Sequence, residues 1–84
     1  MKELLKFEAE WCGQCKVLKP TLNNVLKDFP DVKLTIVDCE VDEEETLKYG
    51  IRSMPTLIYL KDNVEVGRLT GAVPANKIRE LLNK

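Results

Sequence analysis

Ala9-Glu10-Trp11-Cys12-Gly13-Gln14-Cys15-Lys16 is the stretch on which the reading of the chain turns. Upstream of it, Leu5, Phe7 and Ala9 alternate with Leu4, Lys6 and Glu8, the two-residue period of a strand over Lys2 to Ala9. Downstream, Leu18, Leu22, Val25, Leu26 and Phe29 recur at intervals of three and four, which describes one stripe of a helix. That helix is expected to start near Gly13 and to stop before Pro30. Pro20 lies inside it, removes one backbone hydrogen bond and is expected to kink it. The two cysteines therefore fall at a strand-to-helix junction.

A Cys-x-x-Cys at such a junction has a chemical use. Cys12 would stand at the helix N-terminus, where unpaired N–H groups and the helix dipole favour a thiolate. The thiolate is the nucleophile of disulfide exchange. Cys15, one turn on, can close a ring with it: Cys12 attacks a partner's disulfide and Cys15 then displaces the reduced partner. Gly13 permits close backbone approach between them. The plain alternative is two ordinary cysteines in a helix.

Outward from this unit, Val32 to Val41 is rich in β-branched residues and reads as a strand. Asp42 to Tyr49 reads as a short helix with Glu43, Glu44 and Glu45 in its first turn, and Gly50 as its stop. Pro55 to Leu60 and Val64 to Leu69 are two further strands around the turn Lys61-Asp62-Asn63, hence an antiparallel hairpin. Gly71 breaks the hairpin, and Pro74 opens a last helix with Ile78, Leu81 and Leu82 on its apolar side. The order β-α-β-α-β-β-α puts the first two strands parallel and adds the hairpin to them. This is an α/β chain: one four-stranded mixed sheet flanked by three helices, a single domain over residues 1–84.

Composition narrows the chemistry. Lys and Arg number 13 and Asp and Glu 14, a net charge of −1, which argues against an electrostatic nucleic-acid binder. No apolar run approaches the length of a membrane span, and Glu3 and Lys6 interrupt any signal-like start, so a cytoplasmic, non-membrane protein is expected. With no histidine in the chain, Cys-His and Ser-His nucleophile pairs and His-ligated metals are excluded. The three cysteines, Cys12, Cys15 and Cys39, are an odd count for a disulfide framework and one thiolate short of a four-cysteine zinc site. No metal or bound cofactor is expected, although a zinc domain stays open as a distant reading. Cys39 reads most simply as a small buried hydrophobe.

The chain resembles thioredoxin over nearly its whole length. The anchors are Ala9 to Lys16, Pro20, Lys48-Tyr49-Gly50-Ile51-Arg52, Met54-Pro55-Thr56 and Gly71-Ala72. The resemblance implies a minimal thioredoxin fold and a protein dithiol–disulfide oxidoreductase that needs no cofactor. It implies that Cys12 is the exposed attacking cysteine and Cys15 the resolving one. Trp11, Gly13, Gln14, Met54, a cis Pro55, Gly71 and Ala72 would form the groove that receives an extended substrate segment. Against this, Trp11 also reads as plain core and Gly71 as a simple turn. The implied partners are disulfide-containing proteins and, as electron source, a thioredoxin reductase or similar flavoprotein, with the chain acting as a monomer.

The sequence departs from the family in four places. It begins at the first strand of the minimal fold, without the strand and helix that precede it in typical thioredoxins. Gln14 replaces the usual proline between the cysteines and restores an N–H at the helix start. A potential more oxidising than about −270 mV, the value of thioredoxin itself, is therefore expected. Lys6 occupies the place of the family's buried aspartate and Asp38 that of its partner lysine, so a charge-swapped pair is expected under the site. In that reading Asp38 accepts the proton of Cys15 and Lys6 stabilises the nearby thiolate. The plain reading is two exposed charges at the sheet edge. Glu8 replaces an aromatic and has no assigned role. Two other functions stay open: a glutaredoxin-like protein fed by glutathione, which the short chain favours and the Trp-Cys-Gly-Gln-Cys motif opposes, and a non-catalytic thioredoxin-fold subunit using the same surface.

Overall fold

The computed structural model describes residues 1–84. Its elements are β1 (Lys2–Glu8), α1 (Gly13–Leu26), β2 (Val32–Asp38), α2 (Glu43–Lys48), β3 (Thr56–Lys61), β4 (Val64–Thr70) and α3 (Ala75–Leu82). The sheet order is β2-β1-β3-β4. β1 runs parallel to β2, with Lys6 beside Ile36 and Glu8 beside Asp38, and antiparallel to β3, which pairs antiparallel with β4. This is the expected four-stranded mixed sheet with three helices, a minimal thioredoxin fold.

The central position of β1 explains its composition. Both faces are covered, so Leu4, Leu5 and Phe7 are all buried. On one face Leu4, Leu57 and Tyr59 pack with Leu18, Leu22 and Val25 of α1 and with Ile78, Leu81 and Leu82 of α3. On the other, Leu5, Phe7, Val37, Ile58 and Leu60 form a smaller cluster with Cys39, Tyr49 and Ile51 at its margin. Gly67 lets α3 approach β4: a Cβ there would lie 2.8 Å from Leu81 Cδ1.

Element boundaries follow local hydrogen bonding. β2 ends at Asp38 rather than at Val41, because Val41 and Asp42 donate back to the Asp38 carbonyl and Glu40 N–H donates to Asp38 Oδ1, which turns the chain. α1 ends at Leu26, and Asp28 and Phe29 close turns onto Val25 and Leu26 before Pro30. The helix runs unbroken through Pro20. Asp42 caps α2 by accepting from Glu45 N–H at 3.2 Å. Asp62 and Asn63 both take positive φ, the conformation that a two-residue hairpin turn requires. β4 reaches Thr70, and Pro74 stands one residue before α3, as its N-cap.

Candidate active site

The site begins where β1 runs out. Cys12 N–H donates to Ala9 O at 3.0 Å, which bends the chain from strand into α1. Cys12 is the N-cap of α1, in extended conformation, and Cys15 lies in the first turn. The two are joined by a disulfide with their Cα atoms 5.3 Å apart. Cys15 N–H donates to Cys12 Sγ at 3.1 Å, so one of the orphan donors of the helix start is aimed at this sulfur.

Cys12 and Cys15 pack with Ala9 and Met54 and are 6% and 4% exposed. The exposed attacking cysteine that the resemblance implies is therefore not distinguished by exposure in this oxidised form, because the disulfide turns both sulfurs into one small cluster. The asymmetry lies in the hydrogen bonding, since the first-turn N–H serves the Cys12 sulfur.

Three further segments converge here. The Met54–Pro55 peptide is cis, and Pro55 is fully buried. Thr56 Oγ1 donates to Ser53 O at 2.7 Å and fixes the entry to β3. Gly71 N–H donates to Pro55 O at 2.8 Å, which ties the loop after β4 to the proline. Gly71 has φ +91°, and a Cβ there would sit 3.8 Å from Gln14 Oε1. Gly71 thus links the proline loop to the segment between the cysteines and is more than a turn. Gly13, Gln14 and Ala72 are exposed. Trp11 is 67% exposed, which removes it from the core.

Beneath the cysteines lies a charged layer on the α1-facing side of β1. Lys6 is only 2% exposed. Its Nζ pairs with Glu8 Oε1 at 3.0 Å and donates to Cys15 O at 3.3 Å. The expected partner, Asp38, does not hold it: Asp38 Oδ1 accepts from Glu40 N–H at 2.9 Å. Lys6, Glu8 and Asp38 all share one face of the sheet, since Glu8 is registered with Asp38. What separates the two carboxylates is the turn after β2, which engages Asp38 Oδ1, while Glu8 Oε1 meets the ammonium. Glu8 was the residue without a role in the sequence; the signal that would have found it is an opposite charge two positions from a lysine on a buried strand. Lys6, Glu8, Asp38, Glu10, Lys16 and Lys19 surround an open pocket of about 370 Å³ that reaches Cys15. Cys39 lies apart, as a free thiol at the edge of the opposite core cluster.

The thioredoxin family model matches residues 1–84. Among curated relatives, thioredoxin of Bacillus subtilis is 45% identical over 83 residues, covering 96% of this chain and 79% of that protein. Thioredoxin of Mycoplasmoides gallisepticum is 37% identical over 81 residues, covering 96% of this chain and 81% of its own. Among solved structures, Fasciola hepatica thioredoxin superposes with a TM-score of 0.89 at 35% identity, over 98% of this chain and 78% of that one. A disulfide-linked Cys-x-x-Cys at the N-terminus of α1, the fold around it and these matches agree: the chain belongs to the thioredoxin family and is a protein thiol–disulfide oxidoreductase.

Proposed function

We propose that Cys12 and Cys15 act as attacking and resolving cysteines in the reduction of disulfides in other proteins. The observation that supports this is the Cys15 N–H directed at Cys12 Sγ from the start of α1. In the reduced protein that donor and the helix dipole favour the thiolate at Cys12. The Cys12 thiolate attacks one sulfur of the substrate disulfide and expels the other as a thiolate, which takes up a proton. Cys15 then loses its proton and its thiolate attacks the Cys12 sulfur; the Cys12–Cys15 bond forms as the Cys12–substrate bond breaks, and the substrate's second sulfur leaves as a thiolate that takes up a proton. Two electrons pass from the dithiol to the substrate, and no bound cofactor is needed. Trp11, Gln14, Met54, Pro55, Gly71 and Ala72 would receive an extended segment of the substrate at the rim.

In this reading the chain works as a monomer in the cytoplasm and is recharged by a thioredoxin reductase or similar flavoprotein. A reduction potential near or below about −230 mV fits that source, and one near about −180 mV fits glutathione-linked work. The test is reduction of insulin disulfides with dithiothreitol as electron donor. Cys12→Ser is expected to abolish turnover. Cys15→Ser is expected to accumulate a covalent mixed disulfide with the substrate. Full turnover by Cys12→Ser would overturn the assignment.

A further inference from the structure

A buried lysine is costly unless its charge is paired and hydrogen-bonded. Lys6 meets that condition with Glu8 Oε1 at 3.0 Å and the Cys15 carbonyl at 3.3 Å. The arrangement is asymmetric. The Lys6 side chain is 3% exposed and that of Glu8 32%, so the cation is held inside while its counter-ion reaches water. The residue that the ammonium touches is the one that must lose its proton to resolve the mixed disulfide.

We propose that the buried Lys6 ammonium, anchored by Glu8 and the Cys15 carbonyl, sets the potential of the Cys12–Cys15 couple by favouring the thiolate at Cys15. The proposal rests on the redox function above and assigns that site its tuning groups. Opening the disulfide adds two electrons and up to two protons; any thiolate left in the dithiol form is a charge that the disulfide form lacks. A fixed cation in poorly hydrated surroundings therefore stabilises the reduced form more than the oxidised form. Glu8 is a positioning residue: it holds the ammonium against α1 and partly cancels its field. The proton released by Cys15 passes to water in the pocket beside it. The other charges facing that pocket are Lys16 and Lys19 of α1, Glu10 of the β1–α1 turn and Asp38 of β2. They are exposed or half-buried and more strongly screened than Lys6.

The prediction has two signs. Lys6→Met removes the cation and makes the couple more reducing. Its equilibrium constant against the glutathione couple is expected to shift about tenfold, which is 29.6 mV for two electrons. Glu8→Gln removes the neutralising charge and shifts the couple the other way. Lys6→Met/Glu8→Gln falls between the two single variants, because the field of Glu8 reaches the thiolate whether or not Lys6 is present. The full-length proteins are equilibrated with defined glutathione buffers, and thiolate formation in the reduced form is followed by ultraviolet absorbance against pH. Lys6→Gln, which keeps a donor for the Cys15 carbonyl without the charge, replaces Lys6→Met if the latter does not fold. It is expected to move the potential the same way and to raise the pH at which the thiolate forms. An unchanged potential and thiolate titration in the folded lysine variants would overturn the proposal while leaving the redox function intact. A wild-type protein with no reversible couple would overturn both.

Discussion

The two faces of the sheet are closed by different means. One is closed by hydrocarbon: α1 and α3 contribute six buried side chains to a nine-residue cluster with Leu4, Leu57 and Tyr59. The other is covered by α2, a six-residue helix with no buried residue, whose Leu47 is 81% exposed. There a polar tie is added over the smaller apolar cluster. Arg68 of β4 donates from Nη1 to Tyr49 O at the end of α2 at 2.9 Å and pairs with Glu65 at 2.7 Å. Beneath it, Tyr49 meets Phe7 edge-on at 5.7 Å between ring centroids. The larger apolar cluster lies on the face that carries the redox helix, and from it the α2 face is expected to open more readily. A site whose sulfurs must react without losing their geometry is well served by that division, since α1 is fixed by the stronger core.

Leu22→Ala tests the division most severely. Leu22 is buried between α1, α3 and the sheet, so truncation is expected to cost about 2–5 kcal/mol in urea unfolding. In a domain whose total stability is about 5–15 kcal/mol, that is a large part of the whole. A loss under about 1 kcal/mol would mean that the α1 face does not carry the fold.

Tyr59 sharpens the same side of the comparison. It is fully buried in that cluster, and its hydroxyl has no hydrogen-bond partner in the protein. Removing a hydroxyl with no partner forfeits no bond. Tyr59→Phe is expected to change stability by less than about 1 kcal/mol, with a gain as the expected sign. A loss of about 2 kcal/mol or more would show that the hydroxyl is satisfied and that the face is less purely apolar.

The smallest effect belongs to the polar face. Arg68 holds the Glu65 carboxyl below its usual range, chiefly by hydrogen bonding, and Glu65 in turn raises Arg68. Glu65 thus binds fewer protons folded than unfolded near its titration. Its contribution is present above the ordinary carboxylate value of about 4 and is lost as pH falls through the lower folded value. Acidification is expected to lower the amide protection of α2, measured relative to intrinsic exchange at each pH, before it lowers that of α1, with Glu65→Gln removing most of that difference. Equal loosening of α1 and α2 would erase the contrast between the faces.

Most of the fold was legible because each element carried its own signal. The alternation over Lys2–Ala9, the stripe from Leu18 onward and the turn at Asp62-Asn63 all lie within a few residues of what they specify. The end of β2 was not legible. Val41 continues the β-branched pattern, and only the backbone and side-chain bonds of Asp38 show where the strand stops. The site divides in the same way. The Cys-x-x-Cys motif marks Cys12 and Cys15, the family resemblance adds Trp11, Met54, Pro55 and Gly71, and the fold brings Cys12, Cys15, Met54, Pro55 and Gly71 together through contacts that no local pattern encodes. Position in the family points to Asp38 as the partner of Lys6, whereas Lys6 pairs with Glu8. The turn after β2, which engages Asp38 Oδ1, leaves Glu8 as the carboxylate that meets Lys6.

The central place of β1 also bears on how the protein is made. Lys2 pairs with Lys61, and Leu4 is covered by Ile78, Leu81 and Leu82, so the first strand waits for nearly the whole chain. At a synthesis rate of about 5–20 residues per second, Cys12 and Cys15 spend roughly several seconds on a nascent chain with no completed core around them. For that interval the ribosome-bound protein offers two unprotected thiols to any passing oxidant. The environment of the emerging chain, and not its finished structure, governs them until the last helix arrives.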